Sequence, residues 1–348
     1  MRLLHVIAGG EFGGAETFAQ DAITALAERG IEQRVVTRPH ALALRRFAAA
    51  GVPARHFGFS RLDRWRGGRA MIRREAASFK ADLVHAWMAR AASFVPADMP
   101  CPVAGWLGGY YDLKYYRQVD FQIGVTRGIV DYLVENGVAR ERAFLVHVFG
   151  TMAPAPAADR ASLETPADAP LLLVMSRLHE KKGIDTILTA VAECPGVYLW
   201  LAGEGPERAR YAALSHTLQL DDRVRFLGWR TDRAALYAAA DIVALPSRYE
   251  PFGAVIPETW SVGRPLIATR AAGAAAYVTD EADGLLVPID DPPTLAAAIR
   301  RLVGDADLRQ RLISGGTETY RRLFTKEVVM ESLLEAYDTM LRLGKRAS

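Results

Sequence analysis

The chain has 348 residues, 50% of them apolar and 24% charged, a balance that excludes a disordered or fibrous polypeptide and suits two domains rather than one. Its net charge of +3 is too small to argue for nucleic acid, but the basic excess is lopsided: residues 1–150 carry 20 Lys and Arg against 14 Asp and Glu, the remainder 23 against 26. Cys101 and Cys194 are too few and too far apart for a disulfide framework or zinc site, and no apolar run is long enough for a membrane span or signal-peptide core, so a cytoplasmic location is expected.

Short apolar runs alternate with amphipathic stretches, the pattern of repeated βα units on a parallel sheet, and the pattern occurs twice. The first set predicts strands over 3–8, 32–37, 54–57, 83–87, 103–107, 121–125 and 143–147, with helices over 15–29 and 128–136 among the connections. A glycine-rich turn, Gly13-Gly14-Ala15-Glu16, separates the first strand from the first helix. Further on, Arg61, Arg64, Arg66, Arg69, Arg73, Arg74 and Lys80 interleave with Trp65, Met71, Ile72 and Phe79 on one predicted helix. That helix reads either as a solvated face or as a surface for an anionic membrane or acidic acceptor. His85 and His147 fall at strand ends, as packing histidines or as acceptor ligands.

The stretch 151–170 is rich in Pro and Ala without periodicity and is expected to link two domains, 1–160 and 161–325. The second set predicts strands over 171–175, 197–202, 224–227, 242–245 and 265–268, and helices over 184–192, 206–218, 233–239, 254–261, 293–303 and 306–324. A last helix, within 326–348, is expected to pack back at the domain junction. The fold class is therefore α/β, two Rossmann-like domains whose parallel sheets face a central cleft, with ligands held beyond the carboxyl ends of the strands.

Two loops in the second set have chemistry to offer. Ser176-Arg177-Leu178-His179-Glu180-Lys181-Lys182-Gly183 follows a strand and sets a guanidinium and an ammonium at the sheet edge. Two fixed cations suit a diphosphate leaving group, whose charge grows as its bond breaks. The segment Pro246-Ser247-Arg248-Tyr249-Glu250-Pro251-Phe252-Gly253-Ala254-Val255-Ile256-Pro257-Glu258 follows another strand and opens a helix. Pro257 is tolerated only within a first turn, which starts the helix near Gly253 and leaves its free amides for phosphate oxygens. Glu258 then suits vicinal ribose hydroxyls and Glu250 the hydroxyls of a transferred sugar.

Glu250 and Glu258, seven residues between them, together with Arg177, Lys182 and Gly183, resemble family 4 of the glycosyltransferases, retaining enzymes of the GT-B fold that include bacterial lipopolysaccharide and polysaccharide glycosyltransferases. Gly203-Glu204-Gly205-Pro206, Phe226-Leu227-Gly228-Trp229 and Asp283-Gly284-Leu285-Leu286-Val287-Pro288 add to the resemblance, which is densest over 171–288. It implies that Arg177, Lys182 and Glu250 serve catalysis. The donor is then bound by Gly13, Gly14, Gly203, Gly228, Trp229, Arg230, Phe252, Gly253, Ala254, Val255 and Glu258. Glu16, His85, Gly109, Tyr110 and Asp112 are expected on the acceptor side.

Three departures bear on that carry-over. Where many relatives have a histidine after the strand over 103–107, this chain reads Trp106-Leu107-Gly108-Gly109-Tyr110-Tyr111-Asp112; a glutamate after the paired glycines is replaced by Ala271-Ala272-Gly273-Ala274-Ala275-Ala276; and Phe149-Gly150 stands for Asn-Gly. The resemblance implies a front-face reaction in which the leaving phosphate takes the acceptor proton. No Asp-x-Asp cluster falls in a cleft loop, so no metal cofactor is expected, and UDP is favoured over GDP. Expected partners are the nucleotide-sugar and a glycan or lipid-linked acceptor, with inner-membrane surface contact through the basic first domain and no nucleic acid. A nucleotide-sugar 2-epimerase of the same fold and a non-catalytic nucleotide-sugar-binding subunit are the alternatives.

Overall fold

A computed structural model describes residues 1–11, 13–63, 67–150 and 152–345; Arg64, Trp65 and Arg66 of the basic segment, Thr151 and the side chain of Arg61 lie outside the described residues. The chain divides into two compact units, Met1–Phe149 with Lys326–Ser348, and Gly150–Thr325.

In the first unit the strands are β1 (Arg2–Ile7), β2 (Glu32–Thr37), β3 (Ala54–His56), β4 (Leu83–Trp87), β5 (Val103–Leu107), β6 (Phe121–Gly124) and β7 (Ala143–Leu145). They form one parallel sheet in the order β3-β2-β1-β4-β5-β6-β7. The second unit has β8 (Leu171–Met175), β9 (Tyr198–Ala202), β10 (Val224–Gly228), β11 (Ile242–Leu245), β12 (Leu266–Thr269) and β13 (Leu285–Val287), also parallel, in the order β10-β9-β8-β11-β12-β13. Helices cover both faces of such sheets, so the central strands read as continuous apolar runs, and every residue of β4, β5 and β11 is buried. The order reverses between β1 and β4 and between β8 and β11, the positions where neighbouring loops part and leave room for a ligand.

The short strand β13 and the helices Ala41–Ala49, Met88–Phe94 and Ala272–Tyr277 are absent from the sequence reading. Their alanine-rich or three-residue segments carry too little apolar contrast for a period to show. The expected boundary between residues 160 and 161 also moves, to between 149 and 150. Ala158 N donates to Ala235 O at 2.9 Å and the Arg160 guanidinium reaches Asp241 at 3.0 Å, so this stretch is bonded into the second unit instead of hanging free.

The terminal helix Lys326–Leu343 belongs with the first unit. Tyr337 OH meets His85 Nδ1 at 2.5 Å, Lys326 pairs with Glu28, and Lys345 Nζ donates to Met99 O at 2.6 Å. Of the basic segment, the described residues include helical stretches at Arg61–Asp63 and Arg69–Phe79. Met71, Ile72 and Phe79 are buried in the core, while Arg73, Arg74 and Lys80 stay exposed. Met71, Ile72 and Phe79 are therefore spent on packing, and the exposed cations are what this helix has to offer an anionic surface. No helix among the described residues is long and apolar enough to cross a membrane.

Candidate functional site

The loops that leave β8 and β11 flank the switch point of the second sheet, and glycines let them touch main chain to main chain. A Cβ on Gly183, whose φ is +62°, would lie 2.0 Å from Pro246 O, and one on Gly273 would lie 2.3 Å from Phe252 O. Hydrogen bonds tie the same loops: Arg248 N and Tyr249 N donate to Lys181 O at 2.9 and 3.1 Å, and Gly273 N donates to Glu250 O at 2.6 Å. Arg248 braces them from outside, its fork on both oxygens of Asp185 at 2.9 and 3.0 Å and on Asp290 at 2.7 Å. The bond to Asp185, before that to Asp290, holds this guanidinium above its usual range. Arg248 lies inside the recognised segment, yet sequence reasoning gave it no role.

Lys182 Nζ lies 2.6 Å from Glu250 Oε2, which also accepts from Ser247 Oγ at 3.2 Å; the two side chains are 24% and 14% exposed. Arg177 is exposed, and its guanidinium makes no hydrogen bond or ion pair among the described residues. Glu258 is 7% exposed, with Oε2 accepting from the Arg233 guanidinium and, at 2.8 Å, from Tyr237 OH. Arg233 and Tyr237 sit one turn apart on the helix Arg233–Ala239 and were not among the predicted site residues; their i, i+4 spacing is the signal that sequence offers. Burial first, and the Glu258 charge second, push the Tyr237 hydroxyl well above its ordinary range, so it remains a donor.

The helix predicted to start near Gly253 runs over Val255–Ser261, with Pro257 in its first turn and Gly253 at φ +83° turning the chain into it. The amides of Gly253, Ala254 and Val255 find no protein acceptor among the described residues. Phe252 and Val255, expected at the donor, bury their side chains, Phe252 edge-on against Tyr277 at 5.7 Å; main-chain atoms are what they have to offer. After β10, Gly228 has φ +67°, Trp229 is 67% exposed and the Arg230 guanidinium grips Asp232 at 2.8 and 2.5 Å. Gly203 N donates to Gly228 O at 2.8 Å, joining the β9 and β10 loops.

The other predicted residues lie in the first unit and are mostly engaged. Glu16 folds over its own loop: Oε1 accepts from Gly10 N at 3.0 Å, and a Cβ on Gly13 would lie 2.2 Å from Oε2. Gly14 borders open space. His85, expected as an acceptor ligand, is fully buried, stacked on Trp87 at 4.0 Å and bonded to Tyr337; burial, then the neighbouring His5, drives its pKa well below the usual value. It is a packing histidine. His147 is another, its Nδ1 3.1 Å from Val125 O and its pKa lowered by burial. Gly109 is buried, Tyr110 is exposed with its ring edge-on to Tyr132, and Asp112 caps the turn Leu113–Tyr116 through Lys114 N at 2.9 Å.

Among the described residues no group of three or more His, Cys, Asp or Glu is gathered to hold a metal ion. What the second unit does offer is an exposed guanidinium on the loop after β8, an ammonium paired with a carboxylate between the loops after β8 and β11, a second carboxylate on the helix that follows, and amides with no protein acceptor among the described residues. That set suits a polyanion joined to polyhydroxylated groups.

Comparison with known proteins agrees with this chemistry. Residues 12–149 match the family described as Glycosyltransferase Family 4, and residues 157–319 match Glycosyl transferases group 1. The lipopolysaccharide core biosynthesis glycosyltransferase LpsD of Rhizobium meliloti (strain 1021) is 38% identical over 345 residues, 97% of this chain and 98% of that protein. LpsE of the same organism is 38% identical over 331 residues, covering 94% and 96%. Among solved structures, Anabaena Alr3699/HepE in complex with UDP aligns with a TM-score of 0.86 at 22% identity over 98% of this chain and 100% of that one, a likeness of fold. The chain belongs to glycosyltransferase family 4 and has the GT-B fold.

Proposed function

We propose that this glycosyltransferase moves a hexose-type sugar from a UDP donor to a hydroxyl of a glycan or lipid-linked glycan, with retention of configuration, in lipopolysaccharide core synthesis. The observation that carries the proposal is the half-buried Lys182–Glu250 pair at the β8/β11 switch point beside the exposed Arg177. A diphosphate there meets two cations, and the transferred sugar meets a carboxylate already oriented by one of them. The lipopolysaccharide setting is supported by LpsD and LpsE, and the nucleotide by the Anabaena protein solved with UDP.

In this scheme Arg177 and Lys182 stabilise the charge that builds on the leaving diphosphate, as do the amides of Gly253, Ala254 and Val255. Glu250 holds the sugar through its hydroxyls, Glu258 accepts from the ribose diol, and the exposed Trp229 indole stacks on the base. The acceptor hydroxyl attacks from the face that the diphosphate leaves, the glycosidic bond to phosphate breaks, and the phosphate oxygen takes the hydroxyl proton. With two fixed cations supplying positive charge, no metal is required, and undiminished turnover in EDTA is the expected result. We further infer a cytoplasmic location at the inner membrane face. Contact with lipid is electrostatic, through exposed cations such as Arg73, Arg74 and Lys80, because Met71, Ile72 and Phe79 are buried. Salt-sensitive sedimentation with anionic vesicles tests it.

The deciding experiment is a thermal-shift series with UDP, GDP and their common sugars on the wild type and Glu258→Ala, followed by UDP release on adding a lipopolysaccharide-core acceptor. Stabilisation by uridine nucleotides that the variant loses, with UDP released only when acceptor is present, supports transfer. No stabilisation by either nucleotide family overturns the donor site, and release without acceptor argues against transfer.

A further inference from the structure

We propose that Arg233 and Tyr237 are positioning residues for the ribose: together they occupy Oε2 of Glu258, fixing the carboxylate so that Oε1 is the oxygen presented to the diol. The inference rests on the reading of Glu258 as the ribose acceptor and adds how that acceptor is held.

A carboxylate only 7% exposed loses most of its hydration, and an unpaired one costs enough that it takes up a proton or rotates toward water. In Glu258, Oε2 receives two donors, the Arg233 guanidinium and Tyr237 OH at 2.8 Å. Oε1 accepts no hydrogen bond from the described residues. The carboxyl group is also held at its base. A Cβ on Gly150 would lie 3.2 Å from Glu258 Cγ, so the chain passes close enough to limit rotation of the side chain. Arg233 is the more exposed half of the clamp, at 39%, while Tyr237 is fully buried. Burial lowers the Arg233 pKa, but the Glu258 charge, Tyr237 and the hydrogen bonds to both together more than offset it, and the net shift is upward. A diol needs one acceptor oxygen at a fixed angle; a carboxylate free to turn about its last bond loses that orientation, and with it the preference for nucleotides that carry both hydroxyls.

The test compares binding of UDP and 2′,3′-dideoxy-UDP by isothermal titration to the wild type, Glu258→Ala, Arg233→Ala, Arg233→Lys and Tyr237→Phe, each checked for folding by its thermal melt. The guanosine pair replaces them if the thermal-shift series selects GDP. The wild type is expected to prefer UDP by about 10- to 100-fold, the range of hydrogen bonds to a charged acceptor. Glu258→Ala abolishes the preference. Arg233→Ala and Tyr237→Phe each lower it severalfold while leaving the affinity for the dideoxy nucleotide within about twofold, and Arg233→Lys restores part of it. A merely structural role would weaken both ligands alike, and that result overturns the inference, as does an unchanged UDP preference in both clamp variants. If Glu258→Ala itself keeps the preference, the ribose assignment in the proposed function has failed, an outcome distinguishable from failure of the clamp alone.

Discussion

Glutamine at position 250 separates the two halves of the Lys182–Glu250 pair with almost no change of shape. The ammonium lies 2.6 Å from Glu250 Oε2, and the side chains are 24% and 14% exposed. At that distance and an effective dielectric of about 20 the bare attraction is roughly 6 kcal/mol; desolvation of both groups cancels most of it, leaving the ~1.5–3 kcal/mol typical of hydrogen bonds to charged groups. A diphosphate that recruits Lys182 has to share or displace Glu250. Glu250→Gln removes that competition, so UDP is expected to bind about tenfold tighter, with about 100-fold as the ceiling for complete exchange of partners. Turnover moves the opposite way, by roughly 100-fold, because the sugar loses a charged acceptor and UDP leaves more slowly. Titration calorimetry with UDP and initial rates under saturating donor measure the two effects. Equal or weaker UDP binding by Glu250→Gln would refute the exchange and leave Lys182 as half of a structural pair. Arg177→Ala is the internal control, since its exposed guanidinium has no partner among the described residues to be freed from and its loss weakens UDP without compensation.

Other perturbations reach the same loops or the first unit. Gly203→Ala sets a Cβ 2.0 Å from Ser176 O, main chain that has no rotamer to yield, and is expected to cost about 1–3 kcal/mol and several degrees of Tm, together with weaker UDP binding; an unchanged melt would count against the tight contact. Arg248→Ala removes the fork on Asp185 and Asp290 and is expected to destabilise by about 1.5–3 kcal/mol, with Arg248→Lys restoring little because an ammonium cannot bridge both; full rescue by lysine would contradict that geometry. His5 is fully buried, and burial lowers its pKa to about 4 from an ordinary 6.5. As pH falls from 6.5 toward 4 the unfolded chain takes up a proton that the native state refuses, so stability is full above 6.5 and declines by up to about 3 kcal/mol at pH 4, with His85 acting in the same direction. Urea midpoints at pH 7 and pH 5 check the sign, and equal midpoints would contradict it.

The two sheets were legible because strands buried on both faces write themselves as apolar runs, as β4, β5 and β11 do. The alanine-rich helix Ala272–Tyr277 was not, since a residue that is at home inside and outside leaves no period. Among the candidate site residues, Arg177, Lys182 and Glu250 stood out because they lie on loops after buried strands and match the family's motif. Arg233 and Tyr237 did not, because they stand 25 and 21 residues before Glu258 and only the packing of one helix against another joins them. His85 was open to two readings for the same reason: Tyr337, the partner that decides between them, lies 252 residues away.

Gly183, Gly203 and Gly273 lie in three separate loops, yet each is a place where two loops meet backbone to backbone, with a hypothetical Cβ 2.0, 2.0 and 2.3 Å from a carbonyl oxygen of the neighbouring loop. The loops after β8, β9, β11 and β12 are thereby one body, cross-bonded through Lys181 O, Glu204 O and Glu250 O. A body of that kind keeps Lys182 and Glu250 in register without help from a ligand, so the charge that meets a diphosphate is oriented before it arrives. It follows that loss of any one of these glycines should be felt at the ammonium and carboxylate even where the glycine itself touches neither.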